Sequence, residues 1–255
     1  PNLQPATFEL SNRRAASLGY FLVALIAIGT MLWGWGFLAI YRRPLTRITA
    51  SRWIYANIPE GSVIANEHWD DPLPFSIDGN MSFKPYGRYY GLTDPNTGQQ
   101  TGQITNYDED TAEKREKLIR WLNEADVLVL SSNRLWGSIP RLPMRYPMTT
   151  EYYRLLFEEK LGFELAGRFT SFPTIFGIEF DDTGAEEAFS VYDHPEVRIY
   201  RKTADYSEAT VRSYFDPIDL ENTLMMWPKQ VSQAPTALYL TPEEAAQQQA
   251  GGTWS

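Results

Sequence analysis

The sequence predicts an α/β protein: a single transmembrane helix, then a small layered α/β domain, mostly a parallel sheet with flanking helices, and an extended tail. Residues 15–41 contain no charged side chain. Short apolar segments then alternate with amphipathic ones, which is the order of a layered α/β domain. Proline and glutamine become frequent towards the C-terminus. The expected domains are a polar N-terminal segment 1–17, a transmembrane helix 18–41, an extracytoplasmic α/β domain 44–202 and an extended tail 203–255.

The uncharged stretch 18–41 is long enough to cross a bilayer, because a helix rises about 1.5 Å per residue and roughly 20 residues span the hydrocarbon. Signal peptides have a shorter apolar region and a small-residue cleavage site, whereas Arg42, Arg43 and Pro44 follow this stretch. A buried core helix is the other alternative, although such helices rarely lack charge over this length. Since the chain begins at Pro1, we expect a processed product or a piece of something longer.

The basic residues around this helix bear on its orientation. Arg13 and Arg14 precede it, and more arginines follow it, beginning with Arg42 and Arg43. The positive-inside rule therefore favours a cytoplasmic C-terminal side. A resemblance described below implies the opposite side.

Composition excludes several classes of function. The chain carries 23 Lys and Arg against 32 Asp and Glu, a net charge of −9. Nucleic-acid partners need a basic face, so we expect none. There is no cysteine, and only two histidines are present, so disulfide frameworks, zinc–cysteine sites and thiol catalysis are excluded. We expect no cofactor and no bound metal.

The elements of the predicted domain follow from its local patterns. An amphipathic helix that starts with proline covers 44–57, and a buried strand covers 62–66. Loop residues dominate 67–107, where 88–92 is a candidate edge strand. Asp110 and Thr111 cap a helix to residue 125, and Thr149-Thr150 caps another that ends at Gly162. The remaining predicted elements are strands 126–131, 163–169, 174–180 and 196–200, and helices 183–189 and 207–215.

Candidate site residues follow the first predicted strand. Glu67, His68, Asp70 and Asp71 lie where the carboxyl end of a parallel strand would present them to a ligand. A histidine with three carboxylates suits a hard cation or acid–base chemistry. A solvated, capped turn before Pro72 is the structural alternative.

Further candidates lie later in the chain. Asp193 and His194 suit a histidine oriented by a carboxylate, or an ordinary turn before the last strand. Arg134 begins a basic island with Arg141 and Arg145, which either binds an anion or partner or pairs with Glu151 and its neighbours. Neither a glycine-rich phosphate loop nor a Gly-x-Ser-x-Gly elbow occurs in the sequence.

The anchor and the stretch from Trp53 to Lys202 resemble a known family. The segments that carry the resemblance are SRWIYANIPEGSVIANEHWDD, YDEDTAEKREKLIRWLNEADVLVLSSNRLWGSIPRLPMRYPMTTEYYRLLFEEKLGFEL and EEAFSVYDHPEVRIYRK. They look like the soluble domain near the C-terminal end of bacterial, Chloroflexi-type multi-spanning glycosyltransferases of the GT-C, family 39-like class. The segment YLTPEEAAQQQAGGTWS looks like the lead into further membrane segments of longer relatives.

The resemblance implies a membrane-anchored, extracytoplasmic domain in the cell membrane, non-catalytic by itself, that binds the acceptor or covers the active site. The family's catalytic acidic residues lie on an early loop among many helices, and no position of this chain matches them. We expect 67–107 and 132–148 to make the contacts.

Two other hypotheses remain open. The chain is alternatively an accessory or structural subunit of a larger membrane complex, respiratory or photosynthetic, with other transmembrane helices or subunits as partners. The third hypothesis is a metal-dependent enzyme built on Glu67–Asp71.

Overall fold

A computed structural model of the chain describes residues 5–94, 97–100, 102–226 and 229–230, with side chains from residue 15 onward. These residues form two compact units. The first contains the described residues up to Leu45 together with Ser171–Asp182, and the second contains Thr46–Thr170 and the described residues from Thr183 onward. The segment 171–182, which the sequence assigned to the α/β domain, therefore groups with the N-terminal helix.

The first unit is built on one long helix. Helix α1 covers Pro5–Leu38, so residues 5–17 of the predicted polar segment are helical, and a 3₁₀ turn at Ile40–Arg42 follows it. Apolar side chains are exposed at consecutive positions, and therefore on every face of the helix. The helix is long and apolar enough to cross a membrane, and signal sequences share these two properties. The described residues contain one such helix, as the sequence predicted.

A hairpin completes the first unit. The predicted strand 174–180 is wrong as one strand, since β4 (Thr174–Ile175) and β5 (Ile178–Glu179) pair antiparallel. Phe176 and Gly177 connect them with φ angles of 50° and 84°. Two successive positive φ angles are the signature of a type I′ turn, which matches the twist of a tight hairpin.

The second unit contains a four-stranded sheet in the order β1-β2-β6-β3. Its strands are β1 (Ile64–Asn66), β2 (Val127–Leu130), β3 (Phe163–Phe169) and β6 (Val197–Lys202). Representative partners are Ala65 with Leu128, Val129 with Ile199 and Leu165 with Tyr200. The prediction of a long apolar helix followed by a layered α/β domain is confirmed.

The predicted mostly parallel arrangement is wrong. Strands β1 and β2 are parallel, but β6 runs antiparallel to both β2 and β3. Parallel neighbours need a long crossover, usually a helix. The segment between β1 and β2 contains one, α3 (Ala112–Glu124). Between β3 and β6 the chain forms only the hairpin and a four-residue helix, α5 (Glu187–Ser190), and it returns in the opposite direction.

Apolar residues cover both faces of the sheet because side chains alternate along a strand. In β2, Leu128 and Leu130 join one cluster of buried residues, with α3 and α4 (Pro147–Phe157). Val127 and Val129 join the other, with α2 (Thr46–Asn57). All four residues of β2 are buried, so its continuous apolar run reflects a strand covered on both faces.

Polar caps determine where the helices begin. The Thr111 hydroxyl accepts a hydrogen bond from the backbone N–H of Lys114, which confirms the predicted cap of α3. The predicted cap of α4 at Thr149-Thr150 is wrong, because this helix begins at Pro147. The carboxylate of Asp110 instead accepts hydrogen bonds from the backbone N–H groups of Met148 and Thr149, at 2.7 and 2.9 Å. Asp110 therefore caps α4 from a distant part of the chain.

The last described part of the chain holds one helix, α6 (Glu208–Phe215), with Ser207 as its cap. Val211 and Phe215 are buried in the core. The Leu224 N–H donates to the Met144 carbonyl at 2.9 Å, so the segment after α6 continues along the domain. From residue 231 onward the predicted extended tail lies outside the described residues, as do residues 227 and 228.

Candidate binding site at the carboxyl edge of the sheet

The segments 67–71 and 131–134, which contain the predicted site residues Asp70, Asp71 and Arg134, meet at one edge of the sheet. Strands β1 and β2 are parallel and end at Asn66 and Leu130, so the residues that follow them emerge side by side. The Ser131 hydroxyl donates to the Asp71 carbonyl at 3.0 Å. The Ser132 hydroxyl donates to a carboxylate oxygen of Asp70. The structure therefore brings these two loops together.

A buried arginine joins these two loops. Arg47 of α2 places one guanidinium nitrogen 2.9 Å from the Asp70 carboxylate and another 3.4 Å from that of Asp71. Its Nε donates to the Ser131 carbonyl at 3.1 Å. The Arg47 and Asp70 side chains are each 6% exposed, whereas that of Asp71 is 63% exposed. Asp70 is thus occupied by internal partners, and Asp71 reaches solvent.

Sequence analysis did not identify Arg47 as part of the site. It lies four residues after Arg43, close to the basic flank of the apolar anchor, where arginines are expected for topological reasons. The signal that would have found it is helical spacing, because Arg47 lies three and seven residues before Ala50 and Ile54 and therefore falls on their apolar stripe in α2. An arginine inside such a stripe needs a buried anionic partner.

Glu67 lies beneath this edge rather than on it. Its carboxyl group is buried, and a single oxygen, Oε1, accepts hydrogen bonds from the Tyr153 hydroxyl at 2.6 Å and from the Asn106 amide at 2.8 Å. Burial raises the pKa of Glu67 to about 8, with the charge of Asp70 acting in the same direction and the two hydrogen bonds opposing it. At neutral pH the group is mostly the uncharged acid, so it is a core polar group.

His68 and Trp69 form the exposed part of the first loop. The His68 backbone N–H donates to the Ile104 carbonyl at 2.9 Å, while its side chain faces solvent. The two rings pack edge to face, 5.1 Å apart. Trp69 is 61% exposed and has a φ of 77°. Such a φ is costly for a bulky residue, so the loop is held by its surroundings in a form that presents the indole.

Arg134 links the second loop to a third segment. Its Nε lies 3.6 Å from the Glu187 carboxylate, and its guanidinium stacks 5.5 Å from the ring centre of Tyr192. The pKa of Arg134 is raised by a hydrogen bond to Tyr192 and by the charges of Asp70, Tyr192 and Glu187. Tyr192 is 72% exposed. Residues 187–192 therefore extend the same surface.

The predicted Asp193–His194 pair has a different environment. His194 is buried and packs edge to face against Phe189 at 5.9 Å, and its backbone N–H donates to the Ser190 carbonyl. Asp193 is half-buried. His68 is exposed and His194 buried, so the two histidines do not present a common solvent-facing surface.

The arginines of the basic island, Arg134, Arg141 and Arg145, do not pair with Glu151, as the alternative interpretation expected. Arg141 forms a bidentate ion pair with Glu186, with 2.9 Å between Nη1 and Oε1 and 3.0 Å between Nη2 and Oε2. Glu151 instead pairs with Arg154. Arg145 stacks over Tyr146, 5.0 Å from its ring centre.

Metal binding has no geometric support in the described residues. They contain no group of three or more His, Cys, Asp or Glu side chains placed to hold an ion. The reason is visible at Glu67–Asp71, where Glu67 turns into the core and Asp70 is bound by Arg47. The hypothesis of a metal-dependent enzyme at this segment is not supported.

Two cavities lie near the sheet. One of about 220 Å³ adjoins the first loop, and its lining residues are Asn66, Pro72, Phe83, Lys84, Gln100, Gly102 and Gln103. A larger cleft of about 570 Å³ lies at the opposite, amino edge of β1 and β2, between 58–62, 126–127 and 201–204. The larger cleft is the more open of the two, and none of the predicted site residues lines it.

Comparison of the chain with protein-family models, with curated proteins and with solved structures found no significant match.

Proposed function

We propose that this chain is a membrane-anchored, extracytoplasmic domain of a glycosyltransferase-like membrane protein, and that the carboxyl edge of its sheet binds the acceptor without performing the chemistry. The observation that carries the proposal is α1, whose apolar side chains are exposed on every face. A helix that is apolar all round needs an apolar environment. The family resemblance of the anchor and of 53–202 supplies the class of membrane protein and the side of the membrane.

The state of the acidic groups supports binding rather than catalysis. A general acid or base must reach the reacting atom. Asp70 is occupied by Arg47 and Ser132, and Glu67 is buried beneath the surface. The solvent-facing part of the edge consists of His68, Trp69 and Asp71 on one side and of Tyr192 on the other.

The chemistry of this exposed set suits a hydroxyl-rich acceptor such as an oligosaccharide. Aromatic rings offer an apolar face to the C–H groups of a sugar, and carboxylate and guanidinium groups pair with its hydroxyls. Trp69 and Tyr192 are the exposed rings, and Asp71 and Arg134 are the adjacent charges. We therefore expect binding to depend most on Trp69.

The test uses the full chain in lipid nanodiscs against a panel of neutral and acidic oligosaccharides, with Kd measured by calorimetry. We expect Trp69→Ala and Tyr192→Ala to weaken binding about tenfold or more, in line with a lost aromatic contact worth 1–2 kcal/mol. Tyr86→Ala is the control, because Tyr86 is also an exposed aromatic, at 85%, but belongs to a segment that contacts the amino end of β1, where the Gly61 N–H donates to the Arg88 carbonyl. Binding to no oligosaccharide, or equal losses with Tyr86→Ala, would contradict the proposal.

The alternative is an accessory subunit that docks beside other membrane helices. One observation favours it: a side chain added at Gly19, Gly29 or Gly34 would meet no atom of the described chain within 4 Å. Small residues let helices approach closely in membranes. Purification from native membranes with unrelated proteins at fixed stoichiometry would support this function, and a monodisperse monomer in mild detergent would count against it.

A further inference from the structure

The hairpin 171–182 packs directly on the C-terminal part of α1. A Cβ atom built on Gly36 would lie 2.6 Å from Cγ1 of Ile175, so the glycine permits the close approach of the two elements. The rings of Trp33 and Phe180 pack edge to face, 5.8 Å apart. Both contacts belong to the first compact unit.

The position of these contacts along α1 sets the depth of the hairpin. Gly36 and Trp33 precede Arg42 by six and nine residues, which at about 1.5 Å per residue corresponds to roughly 9–14 Å. Arg42 is the first charge after the apolar stretch and belongs at the headgroups. If α1 spans a bilayer, the hairpin extends from the headgroups, where Glu179 pairs with Arg43, into the outer part of the acyl chains.

The surface that the hairpin leaves open is apolar. Phe176 at the turn is 87% exposed, and Ile178 is 64% exposed. Glu179 is the first charged residue of the hairpin, and its carboxylate pairs with Arg43 at 3.2 Å. Arg43 also donates to the Thr174 hydroxyl at 2.7 Å. The backbone is paired as well, with the Phe180 N–H donating to the Pro173 carbonyl at 2.9 Å.

We propose that this hairpin is a second membrane contact, which inserts Phe176 and Ile178 into the interfacial layer of the leaflet that holds the C-terminal end of α1. The inference rests on the proposed membrane span and goes beyond it. The occupant is lipid, because the exposed residues continue the apolar surface of the helix that the hairpin packs against. The exposed side chains are apolar rather than basic, so insertion depends on burial of apolar surface and proceeds in zwitterionic lipid.

The chain contains no cysteine, so a single introduced cysteine can carry an environment-sensitive fluorophore. The probe position is Ile178→Cys, which retains Phe176. Leu25→Cys reports the span itself, and Tyr86→Cys is the control on an exposed loop of the other unit. The full chain is reconstituted in phosphatidylcholine vesicles, with aqueous iodide or acyl-chain nitroxide as the quencher.

We expect the label at 178 to be quenched by nitroxide near the headgroup and to be protected from iodide about fivefold relative to the label at 86. Adding Phe176→Glu should return the label at 178 to water. Iodide quenching of 178 equal to that of 86 would overturn the proposal, and so would protection without nitroxide quenching, which would show a protein neighbour. When the label at 178 gives either of these results, the label at 25 distinguishes the two proposals. If nitroxide does not quench the label at 25, the proposed membrane span is wrong. If nitroxide quenches it, only the inference about the hairpin is wrong.

Discussion

Arg47 and Asp70 form an ion pair with 2.9 Å between Nη2 and Oδ1, although each side chain is only 6% exposed. The pair connects α2 to the loop after β1, and Ser132 extends it to the loop after β2. The Nε contact to the Ser131 carbonyl adds a neutral partner. A charged cluster thus holds together the edge at which a ligand would bind.

Removing the cation of this cluster should destabilise the protein strongly. We expect Arg47→Met to lower the free energy of unfolding by about 3–5 kcal/mol, because Asp70 would be left buried without its partner. Denaturant titration of the full chain in detergent, followed by tryptophan fluorescence, measures the change. Arg52→Met is the control in the same helix, since the Arg52–Asp78 pair is exposed, and it should leave the midpoint unchanged. Equal effects of the two substitutions would contradict the assignment.

Glu67 should make stability depend on pH. Its pKa is about 8 in the folded protein and 4.5 as the reference value. Between these values the folded state keeps a proton that the unfolded chain releases, so the contribution present below pH 4.5 is lost as pH rises towards 8. Each pKa unit corresponds to about 1.4 kcal/mol, so the total reaches several kcal/mol.

Glu67→Gln should abolish this dependence. Both donors converge on one oxygen, Oε1, which a glutamine carbonyl can replace without ionising. Denaturant unfolding at pH 5, 7 and 9 should therefore show the variant gaining stability relative to the wild type as pH rises. Parallel pH profiles for the two proteins would show that the group is not buried as the acid.

Asp110 should be important for folding rather than for binding. It accepts from the first N–H groups of α4, and it pairs with the buried ammonium of Lys114 at 2.8 Å. Burial lowers the pKa of Lys114, and the charge of Asp110 opposes that shift. We expect Asp110→Ala to cost about 3–5 kcal/mol of unfolding free energy, because it leaves a cation unpaired.

Two companion variants sharpen this test. Glu109→Ala removes the neighbouring exposed carboxylate and should leave stability nearly unchanged. Lys114→Met, added to Asp110→Ala, should restore part of the loss, because the unpaired charge is then gone. If the double variant lost as much unfolding free energy as Asp110→Ala and Lys114→Met lose together as single variants, the loss in Asp110→Ala would come from the helix cap alone.

The packing of the hairpin on α1 can be tested with two glycines of the same helix. Gly36→Val places atoms where Ile175 lies, whereas a side chain at Gly34 meets nothing within 4 Å. In vesicles, the label at Ile178→Cys should therefore lose protection from iodide with Gly36→Val and keep it with Gly34→Val. Loss of protection with both would indicate a general effect on the helix, and loss with neither would contradict the contact.

Local patterns predicted most of the elements but not how they pair. The apolar runs at 62–66, 126–131 and 163–169 each contain an observed strand, because burial on a sheet selects apolar, β-branched residues. The direction of β6 was missed, since antiparallel pairing depends on the path of the chain between β3 and β6. The hairpin was read as one strand because its turn is formed by Phe176 and Gly177, and only glycine of these two signals a turn in the sequence.

The candidate site shows the same division. Asp70 and Asp71 were predicted from their position after a parallel strand and Arg134 as part of a basic island, and the structure brings their loops together. Glu67 and His194 were expected to face a ligand and are buried instead. Whether a polar side chain at the end of a strand turns inwards depends on partners such as Tyr153 and Asn106, which lie far away in the sequence.

The sequence alone predicted one helix able to cross a membrane, an acidic α/β domain and candidate site residues in the loop after its first strand. These properties follow from composition, periodicity and strand order, which are local. Only the tertiary structure decided that Arg47 neutralises Asp70, that Asp110 caps a remote helix and that the hairpin 171–182 belongs with α1. Each of these contacts joins residues distant in sequence, and buried charges and close packing select such partners through the fold as a whole.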